Sequence, residues 1–395
     1  MALEHCDVLI VGAGIHGVGV AQAAVARGHT VVLLEKTAPA SGTSSRSSKL
    51  IHGGLRYLEN AQFSLVRECL HERRVLLNIA PELVRLRPFF IPIYRNTRRR
   101  PWQIGMGLSI YAMLGGFAAD NRFSRIARRD WDQLDGLETT GLQAVFRYFD
   151  AQTDDAALTR AVLRNACKMG ARLIMPAIFS SAETHEKGVR VRYLTGAEEC
   201  ECEARVLINA AGPWVNNVLS TITPAPTSVA VDLVQGTHIV LPGMLDQGMY
   251  YLEAPQDARA LFAMPWRNNV MIGTTETVYR GEPDTVRPLA TELDYLLSAC
   301  AHYFPVYRGL TRADIRSAFA GLRVLPTSAG SAFARPRETL LHVDSLPRPT
   351  LLTIYGGKLT AYRATAQQVM QRLVGSLPEP RLNIDTASLR LDPTE

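Results

Sequence analysis

At 395 residues, 47% hydrophobic and 20% charged, the chain is too apolar for a disordered protein and long enough for two domains around a shared cleft. Its net charge of +6 is uneven: Arg95, Arg98, Arg99 and Arg100 cluster, with Arg122, Arg125, Arg128 and Arg129 nearby. No recognition motif or aromatic-interleaved basic repeat accompanies them, so no nucleic-acid partner is expected, and an anionic membrane surface or a solvated face fits better. Six cysteines, at 6, 69, 167, 200, 202 and 300, make no CxxC pair and no zinc spacing with histidines. They read as free thiols in a reducing compartment, with no metal. The apolar run 8–11 is too short for a signal-peptide core, which points to a cytoplasmic protein.

In chain order, the first element is the most specific. Residues 7–35, DVLIVGAGIHGVGVAQAAVARGHTVVLLE, read as strand, glycine turn, helix and second strand, the unit that holds a dinucleotide pyrophosphate. Gly12 suits the tight turn, Gly14 lets main chain approach the pyrophosphate, and Gly17 lets the helix pack close on the strand. The phosphates then face a helix N-terminus, where free N–H groups and the dipole favour anions. Glu35 ends the second strand where the fingerprint expects an acid for the ribose hydroxyl, and its charge disfavours NADP. The fingerprint alone does not separate FAD from NAD.

A hydroxyl-rich loop follows at 41–49, then residues 52–59 and a helix over 62–79 with Leu65, Cys69, Val75 and Leu76 on its apolar side. Residues 101–119, PWQIGMGLSIYAMLGGFAA, carry no charge and nearly reach spanning length. Four glycines, a proline and Gln103 argue against a spanning helix. Trp102, the arginines before it and the helical spacing of Ile104, Leu108 and Tyr111 fit an interfacial helix, and a buried or interdomain helix is the equal alternative. A helix over 154–169 leads into strands at 172–176, 189–193 and 205–208. The last runs into Asn209-Ala-Ala-Gly212-Pro-Trp214, a second cofactor approach. Short strands at 232–240, 249–252, 260–265 and 269–273 predict an antiparallel sheet covering a substrate. The chain returns through 351–354, Gly356-Gly357-Lys358 and a helix beginning near Thr360, a further anion-favouring helix start. With no repeat and no long linker, the domains are expected to interleave.

Seven segments carry a resemblance: SSKLIHGGLRYLE (47–59), YFDAQTDDAAL (148–158), NAAGPWV (209–215), GTHIVLP (236–242), MPWRNNVMIGTTE (264–276), AGLRVLP (320–326) and YGGKLTAYR (355–363). In this order they resemble the FAD-dependent glycerol-3-phosphate dehydrogenases over nearly the whole chain. The resemblance implies non-covalent FAD in an α/β, glutathione-reductase-type, Rossmann-like domain with an interleaved antiparallel β-sheet substrate domain, and electrons passed on to membrane quinone or another acceptor. The FAD domain is placed at 1–80, 145–225 and 335–380, the substrate or cap domain at 81–144 and 226–334, and a tail at 381–395. Gly12, Gly14, Gly17 and Glu35 would hold the ADP half, and Ser47, Ser48 and Lys49 would lie along pyrophosphate and flavin. Gly212 would stand at the adenine-side crossover, with Gly357, Lys358 and Leu359 near the flavin's pyrimidine edge. Two departures stand out: family members commonly continue into a C-terminal helical domain whereas this sequence stops at Glu395, and the family's GG(V/L)RPL is AGLRVLP here.

Oxidising an alcohol beside a phosphate needs cations for the dianion, a base for the hydroxyl proton and a flavin to take hydride. Arg56, Arg323 and Lys358 lie in the motifs that the resemblance turns toward the flavin. Arg337 matches a fourth arginine, with Arg335 as its competitor in the altered stretch FARPRETLL. Arginine suits phosphate because its fork donates two bonds at once, although a lone arginine usually ends in a surface ion pair. His238 is the general-base candidate, against a histidine that merely hydrogen-bonds substrate or a neighbour. His52 reads as a flavin or structural neighbour, and Tyr57 as a substrate contact or a packed aromatic. The expected function is oxidation of sn-glycerol 3-phosphate, or of a close anionic hydroxy compound, to dihydroxyacetone phosphate by hydride transfer to FAD, at the inner face of the membrane. The alternatives are a related FAD enzyme for another hydroxy acid, amino acid or phosphonate, and a flavin-binding interaction module without turnover.

Overall fold

A computed structural model describes residues 4–327 and 339–393. Among these the strands form two sheets, and the chain passes between them repeatedly. The first sheet is built on the parallel strands Arg172–Ile174, Val31–Leu34, Glu4–Val11, Glu198–Asn209 and Leu351–Tyr355. Their apolar side chains are buried on both faces, which is why Val8 to Val11 and Val31 to Leu34 read as continuous runs rather than alternating patterns. An antiparallel extension, Ile178–His185 and Gly188–Thr195, continues from the first half of Glu198–Asn209.

The glycine helix Ile15–Val25 packs between the helices Asp155–Lys168 and Tyr362–Arg372 and is buried almost all round. The first of these begins where TDDAAL predicts, with the Asp154 carboxylate accepting the Ala157 N–H at 3.0 Å as its N-cap.

The second sheet runs Thr277–Tyr279, Val231–Pro242, Asn269–Gly273, Ala260–Trp266, Met249–Glu253, Val84–Tyr94, Leu142–Thr153, Leu50–Ile51, with Ser317–Pro326 beside Val231–Pro242. It is largely antiparallel, as the 232–273 pattern predicts. One expected boundary is corrected. Leu142–Thr153 pairs along its length with Val84–Tyr94 in this sheet, so a domain division at 145 cuts a strand and the change of sheet falls after Thr153.

The uncharged segment forms the helix Pro101–Leu114, and the side carrying Leu108 and Tyr111, which the interfacial reading used, packs into the protein as the buried alternative expects. Leu108 and Tyr111 are buried against Tyr57, Val66, Leu70 and Phe146. Trp102, Met106, Met113 and Phe117 are more than half exposed. No helix among the described residues is long and apolar enough to cross a membrane.

Candidate active site

Between the sheets lies a cavity of about 530 Å³, running from Glu35 and Phe179 at one end to Arg56, Arg259 and Arg323 at the other. The glycine cradle forms part of its wall. Gly12 has φ +104°, and a Cβ there would lie 2.8 Å from Ala210 O; a Cβ on Gly17 would lie 1.9 Å from Gly12 O. Gly14 caps the helix and faces the cavity, where an added Cβ meets only Ser44 Oγ, at 3.2 Å. A larger side chain there would grow into the space a pyrophosphate needs. Glu35 is buried and accepts Ala13 N at 2.8 Å and Thr37 N at 2.9 Å, one on each oxygen. Carboxylate oxygens accept more than one bond, so the cavity-lining acid retains capacity for ribose hydroxyls. Ser44, absent from the sequence reading, accepts Ile15 N at 2.9 Å and tethers the hydroxyl loop to the helix start.

Ser47 and Ser48 line the cavity, as do Gly212, Gly357, Lys358 and Leu359. Lys49 is corrected: its ammonium is held by Asp155 Oδ1 and Ser45 O, both at 2.5 Å, and it is not among the lining residues. Asp155 also takes Ser47 N and Oγ, so the motif's lysine and serine are joined to the start of the helix Asp155–Lys168. At the far glycine turn Gly357 has φ +116°, and a Cβ would collide with His16 Nε2 at 1.9 Å.

His52, Arg56 and Tyr57 come from the loop after Ile51. Asp150, which the sequence reading left unassigned, supports that loop. Its carboxylate accepts Gly53 N at 3.1 Å, Tyr111 Oη at 2.9 Å and Arg73 Nη1 at 2.6 Å. Lys358 Nζ stands 4.4 Å from the centre of the Tyr57 ring, which gives Tyr57 both a packed body and an electrostatic contact.

His238 and Arg323 lie on adjacent strands of the second sheet, His238 opposite Phe319 and Val234 opposite Arg323. The guanidinium crosses Gly236, where a Cβ would lie 3.0 Å from Arg323 Nη2, and so comes within two residues of His238 along the strand. Glu276 Oε1 accepts Arg323 Nη1 at 3.0 Å, and Thr274 Oγ1 accepts Nη2 at 3.3 Å. Burial pushes the Arg323 pKa down to about 10, and the positive Arg56 and Arg259 act in the same direction. Arg259 is a cation at this end of the cavity that sequence reasoning missed. It precedes a strand in ARALFAMPW, with no spacing to mark it. Arg335 and Arg337 lie outside the described residues.

The His238 ring stacks on Phe319 with centroids 5.0 Å apart, and its Nε2 lies 2.9 Å from Ser48 Oγ. Burial, then the charges of Arg323 and Lys49, lower its pKa to about 3. This corrects the expectation of a histidine titrating near neutral pH. The ring is neutral in the unliganded site, with one nitrogen lone pair able to accept a proton. His16, on the cavity wall, is likewise lowered to about 4 by burial.

The depressed histidines fix the sign of the acid response. Above pH 6.5 neither the folded nor the unfolded ring is protonated, and their full contribution to stability is present. As pH falls from 6.5 toward 4, only the unfolded chain takes up protons. Stability then falls by about 1.4 kcal/mol per pH unit for His238, with His16 adding in the same direction. Urea midpoints measured between pH 7 and 4.5 should decline, and His238→Asn should flatten the slope; equal slopes for the two proteins would reject the assignment.

The cradle and cavity define a dinucleotide-binding oxidoreductase architecture. Residues 7–363 match the family described as FAD dependent oxidoreductase, and the chain belongs to it. It is 37% identical over 385 residues to D-erythritol 1-phosphate dehydrogenase from Brucella abortus, covering 95% of this chain and 75% of that protein. It is 34% identical over 385 residues to aerobic glycerol-3-phosphate dehydrogenase from Escherichia coli, covering 94% and 74%. The structure of glycerol-3-phosphate dehydrogenase from Bacillus halodurans, complexed with FAD, superposes with a TM-score of 0.75 at 27% identity, covering 99% of this chain and 68% of that one.

FAD is thus the cofactor, and the glycine cradle fits it. Gly14→Val should leave the protein folded and nearly free of FAD, checked by the flavin released on acid treatment per mole of protein. Stoichiometric flavin in the variant would contradict the placement of the pyrophosphate.

Proposed function

We propose that this flavoprotein oxidises the C2 hydroxyl of sn-glycerol 3-phosphate, or of a closely related polyol phosphate, to the ketone. The observation that carries this reading is the cationic end of the cavity. Arg56, Arg259 and Arg323 face the same space, and their mutual repulsion is one cause of the low pKa of Arg323. A phosphate dianion relieves that repulsion and accepts paired bonds from planar forks. Lys358 adds a cation on the side of the Gly-Gly turn.

Bound FAD supplies the acceptor for the hydride that leaves C2. The chain's own residues supply the rest. The arginines hold the phosphate, and His238, neutral and within reach of the same space, accepts the hydroxyl proton. The dianion also offsets the Arg323 charge that weakens His238 as a base. Under anaerobic conditions, phosphorylated polyols should bleach the flavin at far lower concentration than glycerol, 2-hydroxy acids or amino acids. Equal bleaching by glycine, proline or lactate would favour an enzyme for another acid. No bleaching by any of these compounds would favour a module without turnover.

The helix Pro101–Leu114 supports peripheral contact with an anionic membrane as part of the same reading, and with it access to a quinone acceptor. Trp102, Met106, Met113 and Phe117 are 67%, 55%, 53% and 65% exposed, an unusual display of large apolar side chains. Arg95, Arg98 and Arg100 are exposed beside its start, whereas Arg99 is paired with Glu59 and Glu253. Changing Arg95, Arg98 and Arg100 to Ser should weaken binding to anionic vesicles by about 3 kcal/mol, roughly 100-fold. Sedimentation with neutral and anionic vesicles measures this, and equal binding to both would reject the electrostatic part.

A further inference from the structure

Glu292 lies in the first turn of the helix Ala290–Tyr303, is 5% exposed and does not line the cavity. Its carboxylate gathers five hydrogen bonds. Gln235 Nε2 and Thr237 Oγ1 donate at 2.6 Å each, Thr275 Oγ1 at 2.7 Å, Thr277 Oγ1 at 2.8 Å and Leu289 N at 3.1 Å. Capping the helix uses only the last of these. The other four tie the strand Val231–Pro242 to the segment 273–277.

That segment is a bulge. Gln235 pairs with Thr277 and His238 with Gly273, so Gly236 and Thr237 face three residues, Thr274, Thr275 and Glu276. Ladder bonds support a bulge poorly, and here side chains take over: Thr275 Oγ1 also accepts Thr237 N at 2.9 Å. Successive side chains of extended backbone leave on opposite sides. Thr275 and Thr277 turn to Glu292, while Thr274 and Glu276 turn into the cavity and hold the two terminal nitrogens of Arg323.

We propose that Glu292 is a positioning residue. By fixing Thr275 and Thr277 it sets Thr274 and Glu276, and through them aims the Arg323 guanidinium at the substrate phosphate. The proposal rests on the reading of Arg323 as a phosphate-binding arginine. Without the Glu292 carboxylate the bulge loses its common acceptor, and the fork keeps its charge but loses its fixed direction.

The test is a double-mutant cycle on the FAD-loaded enzyme, read by anaerobic rapid mixing with sn-glycerol 3-phosphate. Glu292→Ala should raise the half-saturating concentration about tenfold, more than it lowers the limiting rate of flavin reduction, with FAD content unchanged. Glu292→Gln should lie between Ala and the native residue. It keeps a carbonyl oxygen for Gln235 and Leu289, and the threonine hydroxyls can turn to accept from its amide. In an Arg323→Lys background the same substitutions should raise half-saturation less than about twofold, because the fork they aim is gone.

Equal rises in both backgrounds would overturn the proposal and leave Glu292 a structural residue, as would unchanged half-saturation in Glu292→Ala. If Glu292→Ala does not fold, Glu292→Gln and Thr277→Val carry the same cycle. Failure of the underlying reading appears separately, as an Arg323→Lys variant that by itself binds sn-glycerol 3-phosphate as tightly as the native enzyme. That outcome would remove the proposed route as well.

Discussion

His238→Ala should slow the limiting rate of flavin reduction by about 10²–10⁴-fold while half-saturation changes little, because a general base acts in the transition state rather than in binding. The ring meets the geometric requirements. It is buried, faces the cavity, and is oriented by Phe319 on one face and Ser48 Oγ at 2.9 Å. Its low pKa keeps the lone pair free before substrate arrives. The pH profile separates the roles. With the native ring, a titration near neutral pH should be absent from the free enzyme, and bound phosphate should raise the ring's pKa by offsetting Arg323, giving a titration linked to the ligand. With His238→Ala, that ligand-linked titration should vanish. Rapid-mixing traces over pH measure both, and a variant that reduces its flavin within about threefold of the native rate would make the ring a packing partner of Phe319 rather than a base.

Arg323→Lys should act on the other parameter. It keeps a charge, but the second parallel bond to phosphate is lost, and a charge-assisted hydrogen bond in a closed site is worth about 2–3 kcal/mol, or roughly 30–100-fold in half-saturation. FAD should remain bound, since the cradle at Gly12, Gly14 and Glu35 lies at the opposite end of the cavity. The sign of the pH effect follows from a pKa near 10: the native guanidinium is charged through neutral pH, and substrate affinity should fall only as pH rises through about 10. Unchanged half-saturation, with glycerol reducing the flavin as readily as its phosphate, would remove the phosphate assignment and leave the fold intact.

The nucleotide half was legible because each of its residues answers a local demand. Gly12 needs φ +104°, Gly17 has no room for a Cβ, and Glu35 ends a fully buried strand. The strand Val84–Tyr94 was hidden for an equally local reason. Pro88 and Pro92 interrupt it and arginines break its apolar pattern, yet its neighbour Met249–Glu253 pairs only at Phe89 and Phe90, so the missing N–H groups cost little. Lys49 shows the limit of motif transfer: a basic residue in a conspicuous loop was assigned to the cofactor, whereas Asp155, more than 100 residues later in the chain, holds it. Arg259 belongs to the substrate end only through tertiary placement, since an isolated arginine carries no signal of its own, and Glu276 ends the segment MPWRNNVMIGTTE but becomes the partner of Arg323 only in the fold. The pKa of His238 depended on the same kind of information, because burial and two distant cations set it.

The most direct test of the central claim is anaerobic mixing of the oxidised FAD enzyme with sn-glycerol 3-phosphate bearing either hydrogen or deuterium at C2. The oxidised-flavin absorbance should be lost in a single turnover, dihydroxyacetone phosphate should appear in equal amount, and deuterium should slow the bleaching. A flavin that stays oxidised with this substrate but is bleached by an amino acid or a non-phosphorylated hydroxy acid would contradict the claim.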